Sequence, residues 1–152
     1  MRRRFAVAAV ALLWSIAAHA DSTKVVIGDI DDMSGPYADT NGPGAVEAIK
    51  MAIADFGGSA LGQPIELLTA DHQNKPDVGA QKFREWADRD GLTMVMLGAN
   101  TGVSLAMASI AKEKKIPLFA IGATGASLTG KDCSPYTVHY VHDTTGQVSA
   151  WQ

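Results

Sequence analysis

Residues 24–37 read "KVVIGDIDDMSGPY". Residues 25–30 form a short, nearly continuous apolar run, the mark of a strand buried on both faces. The run ends among three acids, Asp29, Asp31 and Asp32, and passes into Ser34, Gly35, Pro36 and Tyr37, residues of turn character. A strand that stops this way is either a catalytic strand tip or one lip of a binding cleft. The loops after the later strands separate the two.

The same punctuation recurs down the chain. Residues 65–70, 94–97, 118–121 and 138–141 are further short apolar runs, and helical stretches lie between them. Ala45, Ile49, Ala52, Ile53 and Phe56 recur at helical spacing, and Gly57-Gly58 stops that helix because glycine accepts the left-handed C-terminal conformation. Asn74 and Pro76 start a second helix, with Val78, Phe83, Trp86 and Ala87 on one side and Gly91 as its stop. Residues 103–114 form a third, with Val103, Met107 and Ile110 on a face and lysines at the negative pole of its dipole. Short apolar strands alternating with helices predict an α/β fold, a doubly wound parallel sheet covered on both faces. In such sheets ligands collect at the carboxyl ends of the strands.

The ends and totals narrow the function. Residues 1–20, "MRRRFAVAAVALLWSIAAHA", combine a basic start, an apolar run over 5–18 and the small-large-small Ala18-His19-Ala20, which predicts a cleaved secretory signal and a periplasmic product. The apolar run is shorter than the about 20 residues that a bilayer requires. Without residues 1–20, ten cations face sixteen acids among 132 residues. That balance argues against nucleic acid or an anionic membrane surface as partner. The single Cys133 reads as a buried thiol or as half of a disulfide whose partner lies outside this sequence.

At the strand tips the residues are small and rich in hydrogen-bonding groups. "GANTGVSLA" comes after the third strand and "GATGASLTG" after the fourth, bringing Asn100, Thr101, Thr124, Ser127 and Thr129. Any one such loop is explained by capping and turn chemistry. Three on one rim point to a polar small-molecule site, with backbone amides at a helix start able to hold a carboxylate. Two adjacent acids there read as cleft-rim charges or as caps for loop amides. No dinucleotide fingerprint, phosphate-binding loop or nucleophile elbow is present, and His72, His139 and His142 lack metal-ligand spacing, the last two falling on opposite faces of a strand. Asp29-Ile30-Asp31 also resembles the first motif of haloacid dehalogenase-type Mg-dependent phosphatases, with Thr101 as phosphate binder. Asp32-Met33 stands where that family has Thr or Val, and only Asp143 offers a late acid.

A second resemblance covers residues 24–143. The segment "KVVIGDIDDMSGPYADTNGPGAVEAIKMAIADFGG" resembles the opening of type I periplasmic binding proteins of branched-chain amino acid (Liv-type) transporters. "PIELLTADHQNKPDVG", "GANTGVSLAMASIAKEKKIPLFAIGATGASLTG" and "CSPYTVHYVHDT" resemble their later units in order and spacing. The resemblance implies a solute-binding component of an ABC importer, working with a membrane permease and binding an amino acid or a small organic or aromatic acid, with no cofactor and no catalysis. It places ligand contacts on Ser34, Tyr37, Asn100, Thr101, Gly102, Ala123 and Thr124. Thr40-Asn41 stands where some members carry an aromatic, which leaves the ligand class open. The family has two lobes and over twice this length, so the expectation is residues 21–143 as an N-terminal lobe and 144–152 as a truncated hinge and tail. Apolar surface should then lie open where a returning segment packs. A one-lobe ligand-sensing or interaction module is the other expectation.

Overall fold

The computed structural model of the protein describes residues 24–151. The signal expected over residues 1–20 lies outside them. In chain order the elements are β1 (Val25–Asp31), α1 (Gly42–Asp55), β2 (Ser59–Ala60), β3 (Gln63–Asp71), α2 (Pro76–Arg89), β4 (Leu92–Leu97), α3 (Thr101–Lys114), β5 (Leu118–Ala120), β6 (Thr137–His139) and α4 (Thr144–Ser149). They form one six-stranded sheet in the order β2-β3-β1-β4-β5-β6. The five strands from β3 to β6 are parallel, and β2 adds an antiparallel edge to β3.

β1 lies between β3 and β4, in register Ile27↔Leu67 and Asp29↔Thr69 on one side and Asp29↔Met96 on the other. The connection through α1 runs outward to β3, and α2 returns past β1 to β4. Strand order therefore reverses at β1/β4, and the loops leaving these two strands part over a crevice, where α/β sheets take their ligands.

Alternation along β1 sends Val26, Gly28 and Ile30 to one face and Ile27, Asp29 and Asp31 to the other. The first face holds the core: Val26, Ile30, Val95, Leu97 and Leu118 pack against Phe83 and Trp86 of α2 and Val103, Met107 and Ile110 of α3. These five helix residues are among those the helical spacing selected, and Ala87 packs against them, whereas the selected Val78 is outside the core and Gly79, Ala108 and Ala111 are buried without having been selected. Pro76 opens α2, with Asp77 in its first turn and Arg89 in its last, both suited to the helix dipole.

The second face is covered differently from expectation. Among the described residues α1 lies on it, with Gly42 and Ile49 buried, while Ala52 and the 70% exposed Phe56 stand in solvent. Ala45, Ala48, Ile49, Ala52, Ile53 and Phe56 line an open hollow of about 530 Å³, with Ile27, Ile65, Met94, Met96 and Ile121 as its floor. The apolar stripe of α1 is real, but one helix is too narrow to roof β1, β4 and β5 together. α1 ends as the glycine pair predicts, with Gly57 at φ 92° and Gly58 at φ 69°.

Three further details differ. The hairpin β2–β3 turns on Leu61 and Gly62, both with positive φ (53° and 78°), a two-residue turn matched to strand twist that the run of apolar residues concealed. Cys133 is exposed and not a buried thiol. His142 lies beyond β6, bonded to Gln147, so His139 and His142 do not share a strand. Among the described residues no helix is long and apolar enough to cross a membrane.

Candidate functional site

Acids shape the rim from beneath. Asp32, fully buried, accepts the Gly35 amide at 2.9 Å and the Tyr37 amide at 3.0 Å, one on each carboxylate oxygen. It thereby folds the turn that presents Ser34 and Tyr37. Asp71, at the tip of β3, accepts the Met33 amide (3.0 Å), the Gln73 amide (2.7 Å) and the Ser34 hydroxyl (2.6 Å). Burial pushes the Asp71 carboxyl up, but the Ser34 hydroxyl and the Gln73 and Met33 amides outweigh it, and the group sits below the usual carboxylate range.

The β1 and β4 tips are joined the same way. Asp31 Oδ1 accepts the Gly98 amide at 2.7 Å, and Asn41 Oδ1 accepts the Ala99 amide at 3.1 Å. A Cβ on residue 98 would lie 2.5 Å from both Asp31 Oδ1 and Asn41 Cγ, so only glycine allows this approach.

Asn100 then turns the chain into α3 at φ 105°, ψ 98°, a sparsely populated conformation for a side-chain-bearing residue. Its side chain caps the helix by accepting the Val103 amide at 2.9 Å and also donates to Asn74. Among the described residues the Thr101 and Gly102 amides have no acceptor, so the helix opens with two free N–H groups and the positive end of its dipole. The Thr101 hydroxyl accepts the Gly125 amide at 3.1 Å and ties the β4 loop to the β5 loop. Farther along, the buried Ala123 offers its carbonyl to His139 Nε2 at 2.5 Å, which places the ring proton on that nitrogen, and the Thr124 carbonyl accepts the Thr144 amide at 2.9 Å.

Ser34, Tyr37, Asn100, Thr101, Gly102, Ala123 and Thr124 therefore all come after the carboxyl ends of three neighbouring parallel strands, β1, β4 and β5, on one edge of the sheet. Tyr37 is 38% exposed and Gly102 is exposed, whereas Ala123 is 1% exposed and reaches the rim through its backbone. The Ser34 hydroxyl and Asn100 amide are engaged by Asp71 and Asn74, so their first role is to hold loops. The rim is a lip and not an enclosed chamber: the 530 Å³ hollow lies off it, and a 270 Å³ hollow meets it only at Met33 and Asp71.

Two expectations are corrected. Of the two readings of the acids at the β1 tip, Asp31 and Asp32 bear out caps for loop amides, whereas Asp29, Asp31 and Asp32 are each 0% exposed and are not cleft-rim charges. The phosphatase arrangement fails with that burial, since an attacking Asp29 carboxylate has to meet its substrate. Burial, with a smaller push from the nearby Asp31, raises the Asp29 carboxyl to about 8, so it is protonated and not nucleophilic at neutral pH. Burial likewise raises Asp31. His72, also fully buried, accepts the Asn74 amide on Nδ1 (3.0 Å), and burial lowers it against the opposing pull of Asp31, Asp32 and Asp71. The structural work of Asp71, Asn41 and Asn74 was not anticipated from the sequence, although "DHQN" directly after a strand carries the same composition as the selected loops.

The sequence pattern described as periplasmic binding protein matches residues 24–151. The match continues through residues 144–151, past the stretch 24–143 that carries the resemblance in sequence. No curated protein matches the chain. Among solved structures, a periplasmic binding protein from Burkholderia mallei is 54% identical with a TM-score of 0.79, over 80% of this chain and 32% of that one. A branched chain amino acid ABC transporter periplasmic ligand-binding protein from Burkholderia xenovorans is 35% identical with a TM-score of 0.74, over 84% and 36%. A solute binding protein of an ABC transporter from Rhodopseudomonas palustris, solved in complex with 3,4-dihydroxybenzoic acid, is 28% identical with a TM-score of 0.69, over 80% and 32%. The chain spans about a third of the length of these solved relatives. With its parallel sheet, its reversal of strand order at β1/β4 and its match over residues 24–151, the chain belongs to the periplasmic binding protein family.

Proposed function

We propose that the chain supplies one lip of the ligand cleft in the substrate-binding component of an ABC importer. Its ligand would be an amino acid or a related small organic acid, aromatic acids included. It would work in the periplasm after export and deliver its ligand to a membrane permease. One observation carries this: the Thr101 and Gly102 amides stand without acceptors at the start of α3, beside the β1/β4 reversal. Two free amides on the positive end of a helix dipole suit a carboxylate, the group that amino acids and aromatic acids share.

Around that anchor, Tyr37 would wall the ligand, and Ser34, Asn100 and Thr124 would fix the loops and offer further polar contacts. The carbonyl of Ala123 would accept from the ligand alongside its bond from His139. The ligand class is supported by the names of two relatives, one assigned to branched chain amino acids and one bound to 3,4-dihydroxybenzoic acid. Nothing in the proposal makes or breaks a covalent bond.

A single lip leaves the ligand wet on its far side, whereas lobes that close around a ligand strengthen each hydrogen bond by excluding water. Affinity of this chain alone should therefore be millimolar, which corresponds to about −4 kcal/mol. Calorimetry against leucine, benzoate and 3,4-dihydroxybenzoate tests this. Weak binding of at least one of the acids is the expected outcome. Absence of heat for all of them at high concentration contradicts the ligand class, and a micromolar constant contradicts the one-lip geometry.

A further inference from the structure

Asp29 and Asp31 lie two residues apart on β1, so their side chains leave the same face of the sheet. Both are 0% exposed. Both oxygens of Asp29 and Oδ2 of Asp31 lack any hydrogen-bond donor, and only Asp31 Oδ1 is satisfied, by Gly98 at 2.7 Å. The Asp31 carboxyl adds to burial in holding the Asp29 carboxyl up, through its charge and a side-chain hydrogen bond. A pair of buried carboxylates left this way would be two uncompensated charges, which proteins avoid by neutralising one.

Among the described residues the surroundings supply no cation. Of the charged groups near the pair, Asp32 is engaged by Gly35 and Tyr37, and Asp71 by Met33, Ser34 and Gln73. Among the described residues the one basic group close by, His72, is a neutral imidazole: its Nδ1 accepts from Asn74, so its proton is on Nε2, which has no partner there. On α1, Glu47 and Lys50 are exposed and paired with each other at 2.7 Å, and Asp55 is exposed. From the flanking strands the same face presents Leu67, Thr69 and Asp71 of β3 and Met94 and Met96 of β4, of which only Asp71, opposite Asp31 and held by the donors just named, is charged.

We infer that Asp29 and Asp31 share one proton at neutral pH, with Asp29 donating it to Asp31 Oδ2, and that this pair is a positioning device for the ligand loop 98–102. The shared proton satisfies one oxygen of each residue and leaves Asp31 Oδ1 free to hold the Gly98 amide. Asp29, which is 0% exposed, thus acts through Asp31 on the segment that carries the Thr101 and Gly102 amides. Losing the proton at alkaline pH sets two anions side by side, and the movement that separates them pulls on the Gly98 bond. The function of the pair rests on the ligand-binding role proposed above, but its proton does not.

The test needs no ligand, so its outcome is separable from that of any binding experiment. Infrared spectra of the protein carrying 13C-labelled aspartate should show, at pH 7, a protonated aspartic acid band that fades as the pH passes about 8. The Gly98 amide resonance should move over the same pH range. In Asp29→Asn, whose amide can donate to Asp31 in place of the proton, the band should be missing and the Gly98 resonance flat. No such band in the wild-type protein at pH 7, or its persistence in Asp29→Asn, overturns the shared proton. A Gly98 resonance that stays still while the band fades overturns the positioning role. If Asp29→Asn does not fold, the wild-type band and Gly98 resonance, tracked together, decide both points.

Discussion

The Thr101 hydroxyl accepts the Gly125 amide at 3.1 Å, and through this bond the loop that begins α3 is fixed to the loop after β5. The same threonine presents one of the two unpaired helix amides. Positioning and binding thus meet in one residue, and the two roles respond differently to substitution. Thr101→Val keeps the shape, removes the acceptor and strands the Gly125 amide, at a cost of about 1–3 kcal/mol in urea unfolding. Thr101→Ser keeps the acceptor and should lose less than half as much. Equal losses for both variants would assign the effect to the methyl group.

Asp71 gathers three donors from two loops, so Asp71→Ala should release Met33, Ser34 and Gln73 together. The expected loss is about 1–3 kcal/mol, with faster amide exchange at Met33 and Gln73. The Asp71 pKa is depressed in the folded protein. Its stabilisation is therefore present above the unfolded carboxylate value and lost as the pH falls through the folded one. Wild type and Asp71→Ala should converge in melting temperature under acid.

The buried groups on and beside β1 have opposite signs. Asp29 is raised in the folded state to about 8, so the folded protein holds a proton that the unfolded chain gives up at an ordinary carboxylate pH. Stability from this group falls as the pH rises toward about 8 and then levels. His72 is lowered, so the unfolded chain takes up a proton first, and its effect is a loss of stability only as the pH falls below the ordinary histidine value. Between about 6.5 and about 8 the Asp29 contribution stands clear of that of His72. The melting temperature should decline across this window and stay flat in Asp29→Asn. A decline that survives the substitution would exclude Asp29 as its source.

Much of this architecture can be read from one sequence, and the failures have physical causes. The parallel strands were visible because both of their faces are apolar and give continuous apolar runs, as in β1 and β4, even though one face is left partly open. α2 and α3 were visible because Phe83, Trp86, Val103, Met107 and Ile110 repeat at helical spacing. The same spacing in α1 misled: periodicity reports that a face is apolar, not that another element covers it, and Phe56 is 70% exposed. The burial of Asp29 and Asp31 was hidden because acids ordinarily mark solvent. The role of Asp71 was hidden because its partners Met33 and Ser34 lie 38 and 37 residues away and meet it only through the β1–β3 pairing.

The open hollow over β1, β4 and β5 carries its own consequence. A contiguous apolar surface of this kind attracts dyes and other chains. The protein should bind a hydrophobic fluorescent dye in its native state and self-associate with rising concentration. Phe56→Ser should weaken both while changing stability by no more than about 0.5 kcal/mol, as for other exposed positions. Dye binding and association unchanged in Phe56→Ser would remove the hollow as their cause.

The lip itself is tested most directly by monitoring backbone amide resonances while benzoate or leucine is added to the protein. Shifts gathered on Ser34, Tyr37, Asn100, Thr101, Gly102, Ala123 and Thr124, largest at the Thr101 and Gly102 amides, are the result to expect. Shifts gathered instead on Met94, Met96 and Ile121 in the apolar hollow, or scattered without a centre, would contradict a ligand rim at the β1/β4 reversal.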